Sequence, residues 1–67
     1  MKLHEAVHLV RSKKFKYFHT ETSVFYGFDS RGEFYSKERD GSNSNKIGME
    51  TLKRSIQQND SDGWQVS

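Results

Sequence analysis

The chain has 67 residues, no cysteine and a formal net charge of +2, with 31% hydrophobic and 13% aromatic residues. A chain of this length buries only about 60% of the surface that its unfolded form exposes, which predicts one small domain (residues 1–67) with a core built from large rings. The composition excludes disulfides and thiolate metal sites, and no run of about 18 apolar residues is present to cross a membrane. We therefore expect a soluble cytoplasmic protein without a membrane partner.

The first half of the chain predicts one helix and three strands. Apolar residues recur every three or four positions from Leu3 to Val10, which indicates an amphipathic helix over 3–13. Runs rich in β-forming residues follow at 15–20, 24–29 and 33–37. Asp29-Ser-Arg-Gly32 joins the last two runs and has the composition of a type I turn closed by a glycine with positive φ.

The second half predicts a loop, a helix and a short terminal element. Glu38 to Asn45 contains no apolar residue, so we expect a flexible polar loop over 38–46. The helical period resumes at Met49 and predicts a second helix to about Gln58. Trp64-Gln-Val66 is then either a fourth strand or a tail that packs Trp64 on the core.

These elements predict an α+β fold in the order α-β-β-β-α, with a further strand at the end. Both helices would pack on one face of a small antiparallel sheet of three or four strands, because each helix has one apolar stripe to bury. Alternation along the strands predicts a core face with Phe15, Tyr17, Val24, Tyr26, Phe28 and Phe34. The opposite face would carry Lys16, Phe18, Phe25, Tyr35 and Lys37.

That opposite face combines aromatic rings with lysines. Phe18, Phe25 and Tyr35 could stack on unpaired bases while Lys16 and Lys37 reach phosphates, which is the chemistry of single-strand binding. The same rings could instead be covered by a second copy of the chain or by one of the helices, or anchor a different protein.

Positive charge is concentrated near the first helix. Residues 1–19 carry five Lys and Arg against one Glu, whereas the rest of the chain carries six against eight acidic residues. A cluster of four basic residues accounts for most of this excess: Arg11, Lys13, Lys14 and Lys16. An anionic partner such as DNA or RNA would therefore bind near this cluster.

His4-Glu-Ala-Val-His8 matches the helical H-E-x-x-H pattern, which places two imidazoles on one face for zinc with a glutamate beside them as base. A third ligand at the spacing used by metzincins is absent, because Lys14 occupies that position. We interpret His4 and His8 as exposed residues on the polar flank of the helix. The alternative is an incidental metal site that recruits His19 as a third ligand.

No other arrangement in the sequence predicts catalysis, so we expect a binding protein without a cofactor rather than an enzyme. Two functions fit the residues. One is a nucleic-acid-binding accessory or regulatory protein that uses the basic cluster and the aromatic face. The other is a protein-interaction module, such as a small inhibitor or adaptor that binds a larger protein through the same face. Size and composition are typical of the small accessory proteins of phages or mobile elements, and a homodimer would also cover the rings.

Overall fold

The sheet is built around one central hairpin. The computed structural model describes residues 1–67. Strand β2 (Val24–Phe28) pairs with β3 (Phe34–Glu38) in antiparallel register, with Tyr26 opposite Ser36. The turn between them forms as predicted: Gly32 has φ +81°, and its N–H donates to the Asp29 carbonyl at 2.9 Å.

Three two-residue strands extend this hairpin into a five-stranded antiparallel sheet. They are β1 (Phe18–His19), β4 (Asn45–Lys46) and β5 (Gln65–Val66), and the spatial order is β4-β3-β2-β1-β5. The predicted α+β class is therefore confirmed, with β5 at the position of the predicted terminal strand. The strand β4 is an addition, because it lies within the predicted loop over 38–46. Irregular backbone in that loop is confined to residues 39–44.

Both helices pack against the same face of the sheet. Helix α1 (Leu3–Arg11) buries its apolar stripe, and α2 (Met49–Gln58) buries Leu52. These side chains form one core cluster with Phe18 and Phe34. Helix α2 has the predicted extent, whereas α1 ends two residues earlier than predicted, because Ser12 caps it and Lys13 takes a left-handed conformation with φ +67°. Neither helix has the length and apolar composition needed to span a lipid bilayer.

The predicted alternation of β1 is wrong. Phe18 lies opposite Tyr26 and Val66 in the sheet and is only 1% exposed, so it points to the helices. Tyr17 consequently faces the other way, and Phe15, which precedes the strand, is 38% exposed. Phe18 therefore belongs to the core, where its ring lies 5.5–6.2 Å from the rings of Tyr26, Phe28, Phe34 and Trp64.

The ends of the chain close the fold at the first turn of α1. The Leu3 N–H donates to the Ser61 carbonyl at 2.9 Å, and the His4 N–H donates to the Asp60 carboxylate at 2.9 Å. These bonds satisfy backbone donors that a helix N-terminus otherwise leaves unpaired. The segment 60–67 then continues into β5, with Trp64 packed on Phe18.

Candidate functional site

The sheet face opposite the helices carries a mixed layer of rings and cations, which we call the outer face. Strand register places Phe25 beside both His19 and Lys37, and Tyr35 beside Gly27 and Lys46. The outer face is thus formed by Tyr17, His19, Phe25, Tyr35, Lys37 and Lys46. Three predicted residues (Phe25, Tyr35 and Lys37) lie there, whereas Phe18 does not.

Gly27 brings two tyrosines together over the centre of the outer face. A methyl group at this position would lie 3.2 Å from the Tyr17 ring, 3.4 Å from the Tyr35 hydroxyl and 3.1 Å from the Lys16 carbonyl. The absent side chain is the space that the two tyrosines occupy. Gly27 itself is buried as a result.

Lys37 is held against the first of these tyrosines. Its ammonium donates a hydrogen bond to the Tyr17 hydroxyl at 2.8 Å and lies 4.3 Å from the centre of the Tyr17 ring. The hydrogen bond from Lys37 lowers the pKa of the Tyr17 phenol and raises the pKa of Lys37, whereas burial raises the pKa of the Tyr35 phenol. The positive charge of Lys37 is therefore fixed on the aromatic layer rather than free in solvent.

A second ring pair occupies the β1 side of the outer face. His19 stacks on Phe25 with ring centres 4.4 Å apart and planes 12° from parallel. The Nδ1–H of His19 donates to the Thr20 carbonyl at 3.1 Å, which orients the imidazole. The Arg39 guanidinium lies 6.0 Å from the Phe25 ring centre, and the Tyr17 ring lies 5.8 Å from it. Rings and cations therefore alternate across this face.

Acidic groups are few beside these cations. Glu33 forms an ion pair with Lys46 at 2.7 Å. The Asp29 carboxylate accepts hydrogen bonds from the backbone N–H groups of Arg31 and Glu33, both at 2.9 Å, and the bond from Glu33 is the main cause of its lowered pKa. Of the cations of this region, Lys46 is paired with an acidic side chain, whereas Lys37 and Arg39 form no ion pair.

The basic cluster lies at one end of the outer face. Arg11, Lys13 and Lys16 line a groove together with Tyr17 and Tyr35. Lys14 is exposed but does not line it. The structure thus brings three of the four predicted basic residues to the aromatic layer, through the short connection between α1 and β1.

The H-E-x-x-H residues are used to build the fold. The Glu5 carboxylate accepts a hydrogen bond from the Lys2 N–H at 3.1 Å and so caps α1. The His4 imidazole pairs with Asp60, and His8 is exposed on the helix. No three His, Cys, Asp or Glu side chains converge closely enough to hold a metal ion, so the structure does not bring His19 to His4 and His8.

No protein-family model, curated protein or solved structure matches this chain.

Four residues of this region were not predicted from the sequence: Tyr17, His19, Arg39 and Lys46. Side-chain polarity could have predicted the position of Tyr17. A tyrosine hydroxyl favours a face in contact with water, whereas a phenylalanine has no polar atom that needs a hydrogen-bond partner. That rule would have placed Tyr17 outside and Phe18 inside. It fails at Phe25 and Tyr26, where the phenylalanine faces outward, so strand pairing decides the arrangement.

Proposed function

We propose that this protein binds single-stranded nucleic acid through its outer face. The observation that carries the proposal is an aromatic layer with fixed cations on a sheet face that neither helix covers. Aromatic side chains stack on unpaired bases for roughly 1–3 kcal/mol per base without requiring a particular sequence. The Tyr17–Tyr35 pair and the His19–Phe25 pair supply such rings, and Lys37 supplies a cation between them.

The geometry favours a single strand over a duplex. The bases of a duplex are stacked on one another and cannot lie on a protein ring without being unpaired. The outer face is the surface of a five-stranded sheet, whereas a major groove about 12 Å wide admits a helix or a two-stranded ribbon. A duplex would therefore contact only the cations, and we expect it to bind more weakly.

The first test is fluorescence anisotropy with labelled single-stranded and duplex DNA and RNA, titrated at about 50 mM and about 200 mM salt. We expect saturable binding to single strands that weakens at the higher salt. Sedimentation of the free protein at the same concentrations establishes whether the chain forms a homodimer, without which no second copy covers the outer face. Absence of binding to any single strand at the lower salt would refute the proposal.

Three variants separate stacking from charge. Phe25→Leu keeps an apolar side chain but removes the ring, and should weaken binding about 5-fold or more at both salt concentrations. Lys37→Ala should weaken binding and reduce its salt dependence. Lys53→Ala is the matched control, because it removes the same charge from an exposed position on α2, on the other side of the sheet.

A protein partner is the second candidate. The observation that favours it is Phe15, which is the most exposed of the Phe, Tyr and Trp side chains at 38% and lies beside the outer face. An exposed aromatic anchor ringed by charge is typical of a protein-binding patch. A small inhibitor or adaptor of this kind would show no affinity for nucleic acid at low salt, so the same titration distinguishes the two functions.

A further inference from the structure

The outer face continues into a groove at the end of the sheet. This end groove has a volume of about 580 Å³ and lies where the C-terminal end of α1 meets the β2–β3 turn. Tyr17 and Tyr35 belong to both surfaces, since they lie over Gly27 on the outer face and also line the groove. A nucleic-acid strand bound on the outer face would therefore continue directly into the groove.

The lining of the end groove suits a phosphate backbone. Arg11, Lys13 and Lys16 supply three cations, and Asp29 supplies the one carboxylate. That carboxylate already accepts two backbone hydrogen bonds from its own turn. The groove therefore has an excess of positive charge that the fold does not neutralise, which favours a polyanion.

Lys13 has an unusual backbone conformation for its residue type. Its φ of +67° lies in the left-handed region, one residue beyond the cap of α1. Glycine is the usual residue at such a helix end, because a side chain there is strained. Lys13 is exposed at the groove, so its side chain has no buried contacts that offset this strain.

From these observations we infer that the end groove binds the phosphodiester backbone of nucleotides that flank those stacked on the outer face, with Lys13 as a phosphate contact. The inference rests on the proposed function and deepens it, because it divides the ligand into a stacked part and a flanking part. Binding in the groove requires an oligonucleotide longer than the outer face alone can hold. Short oligonucleotides would contact the rings only, and longer ones would also reach the groove.

The test combines Lys13→Gly with thymidine oligonucleotides of about 4 and about 12 nucleotides, a short and a longer length within the site sizes of about 4–16 nucleotides of single-strand-binding folds. Glycine relieves the backbone strain, so we expect the melting temperature of the free variant to rise by about 4–8 °C. We expect about 3- to 10-fold weaker binding of the 12-mer, with the slope of log K against log salt reduced by about 0.7. Affinity for the 4-mer should not change.

Lys16→Ala should repeat the length-dependent loss, and Lys53→Ala should change neither oligonucleotide. If Lys13→Gly and Lys16→Ala bind the 12-mer as tightly as the unaltered protein does, the end groove does not hold the strand, while the outer-face proposal stands. If the unaltered protein binds neither oligonucleotide, both proposals fail. A gain in thermal stability together with a loss confined to the longer strand is the result that supports the inference.

Discussion

A comparison of Phe18→Ala with Phe25→Ala tests which of these side chains points to the core and which lies on the outer face. Phe18 is 1% exposed and its ring contacts four other rings, whereas Phe25 is half-buried on the outer face and stacks on His19. Truncation of a buried phenylalanine costs about 3–5 kcal/mol. Loss of the Phe25 ring removes its stacking on His19 and part of its buried apolar surface. This should lower the free energy of unfolding by about 1–2 kcal/mol.

These costs are large for so short a chain. Domains are stabilised by roughly 0.05–0.15 kcal/mol per residue, so a chain of this length has about 3–10 kcal/mol in total. Phe18→Ala should therefore lower the free energy of unfolding by a large fraction or abolish folding. Phe18→Leu keeps most of the apolar volume and provides a measurable, smaller loss if the alanine variant does not fold.

Urea unfolding followed by far-ultraviolet circular dichroism and by the fluorescence of Trp64 provides the measurement. Trp64 is a local reporter as well, because its ring lies 5.5 Å from that of Phe18. The free energy of unfolding from linear extrapolation should be lower for Phe18→Ala than for either Phe25→Ala or Phe18→Leu. If Phe25→Ala destabilises the protein as much as Phe18→Ala, the Phe25 ring is as important to the core as the Phe18 ring. That result would refute the assignment of Phe25 to an exposed outer face.

Three further outcomes are expected. Gly27→Ala should lower the free energy of unfolding by about 1–3 kcal/mol in urea, because its methyl group would meet a carbonyl oxygen at 3.1 Å, and it should weaken single-strand binding by displacing the tyrosines. Lys37→Met should raise the pKa of the Tyr17 phenol, seen as later ionisation in an ultraviolet pH titration; an unchanged curve would contradict the pairing. The hydrogen bond from the His4 N–H lowers the pKa of Asp60 in the folded state, so this carboxylate stabilises the fold above about pH 4 and its contribution is lost as the pH falls through the lowered pKa. Thermal melts should therefore show a weaker acid dependence for Asp60→Asn, and equal acid dependence of the two proteins would exclude this role.

The elements with a strong periodic pattern were predictable from the sequence. The two helices and the β2–β3 hairpin follow from hydrophobic spacing and from the turn residues Asp29 to Gly32. The strand β4 was not predictable, because Asn45 and Lys46 are polar and become a strand only by pairing with β3. Tertiary pairing therefore created an element that local sequence does not encode.

The candidate site was only partly predictable for a related reason. The run from Phe15 to Thr20 has aromatic residues at both alternating positions, so pattern alone cannot say which set faces the core. Pairing of β1 with both β2 and β5 makes the choice, and it places Phe18 between Tyr26 and Val66. The sequence pattern assigns Tyr17 to the core and Phe18 to the outer face, and the structure shows the reverse. It assigns Phe25, Tyr35 and Lys37 to the correct face.

Two residues, one on the outer face and one in the end groove, differ from the residue type that local stability would favour. Gly27 lies within a strand, where glycine costs roughly 0.5–1 kcal/mol relative to alanine, and Lys13 has a left-handed conformation that glycine would adopt without strain. The first departure is repaid locally, because it admits the Tyr17 and Tyr35 rings. The second has no packing role that offsets it, since Lys13 is exposed. Local conflicts of this kind are expected where a surface serves a ligand. Both lie beside the same two tyrosines, and this agrees with the proposed binding of nucleic acid on the outer face and in its groove.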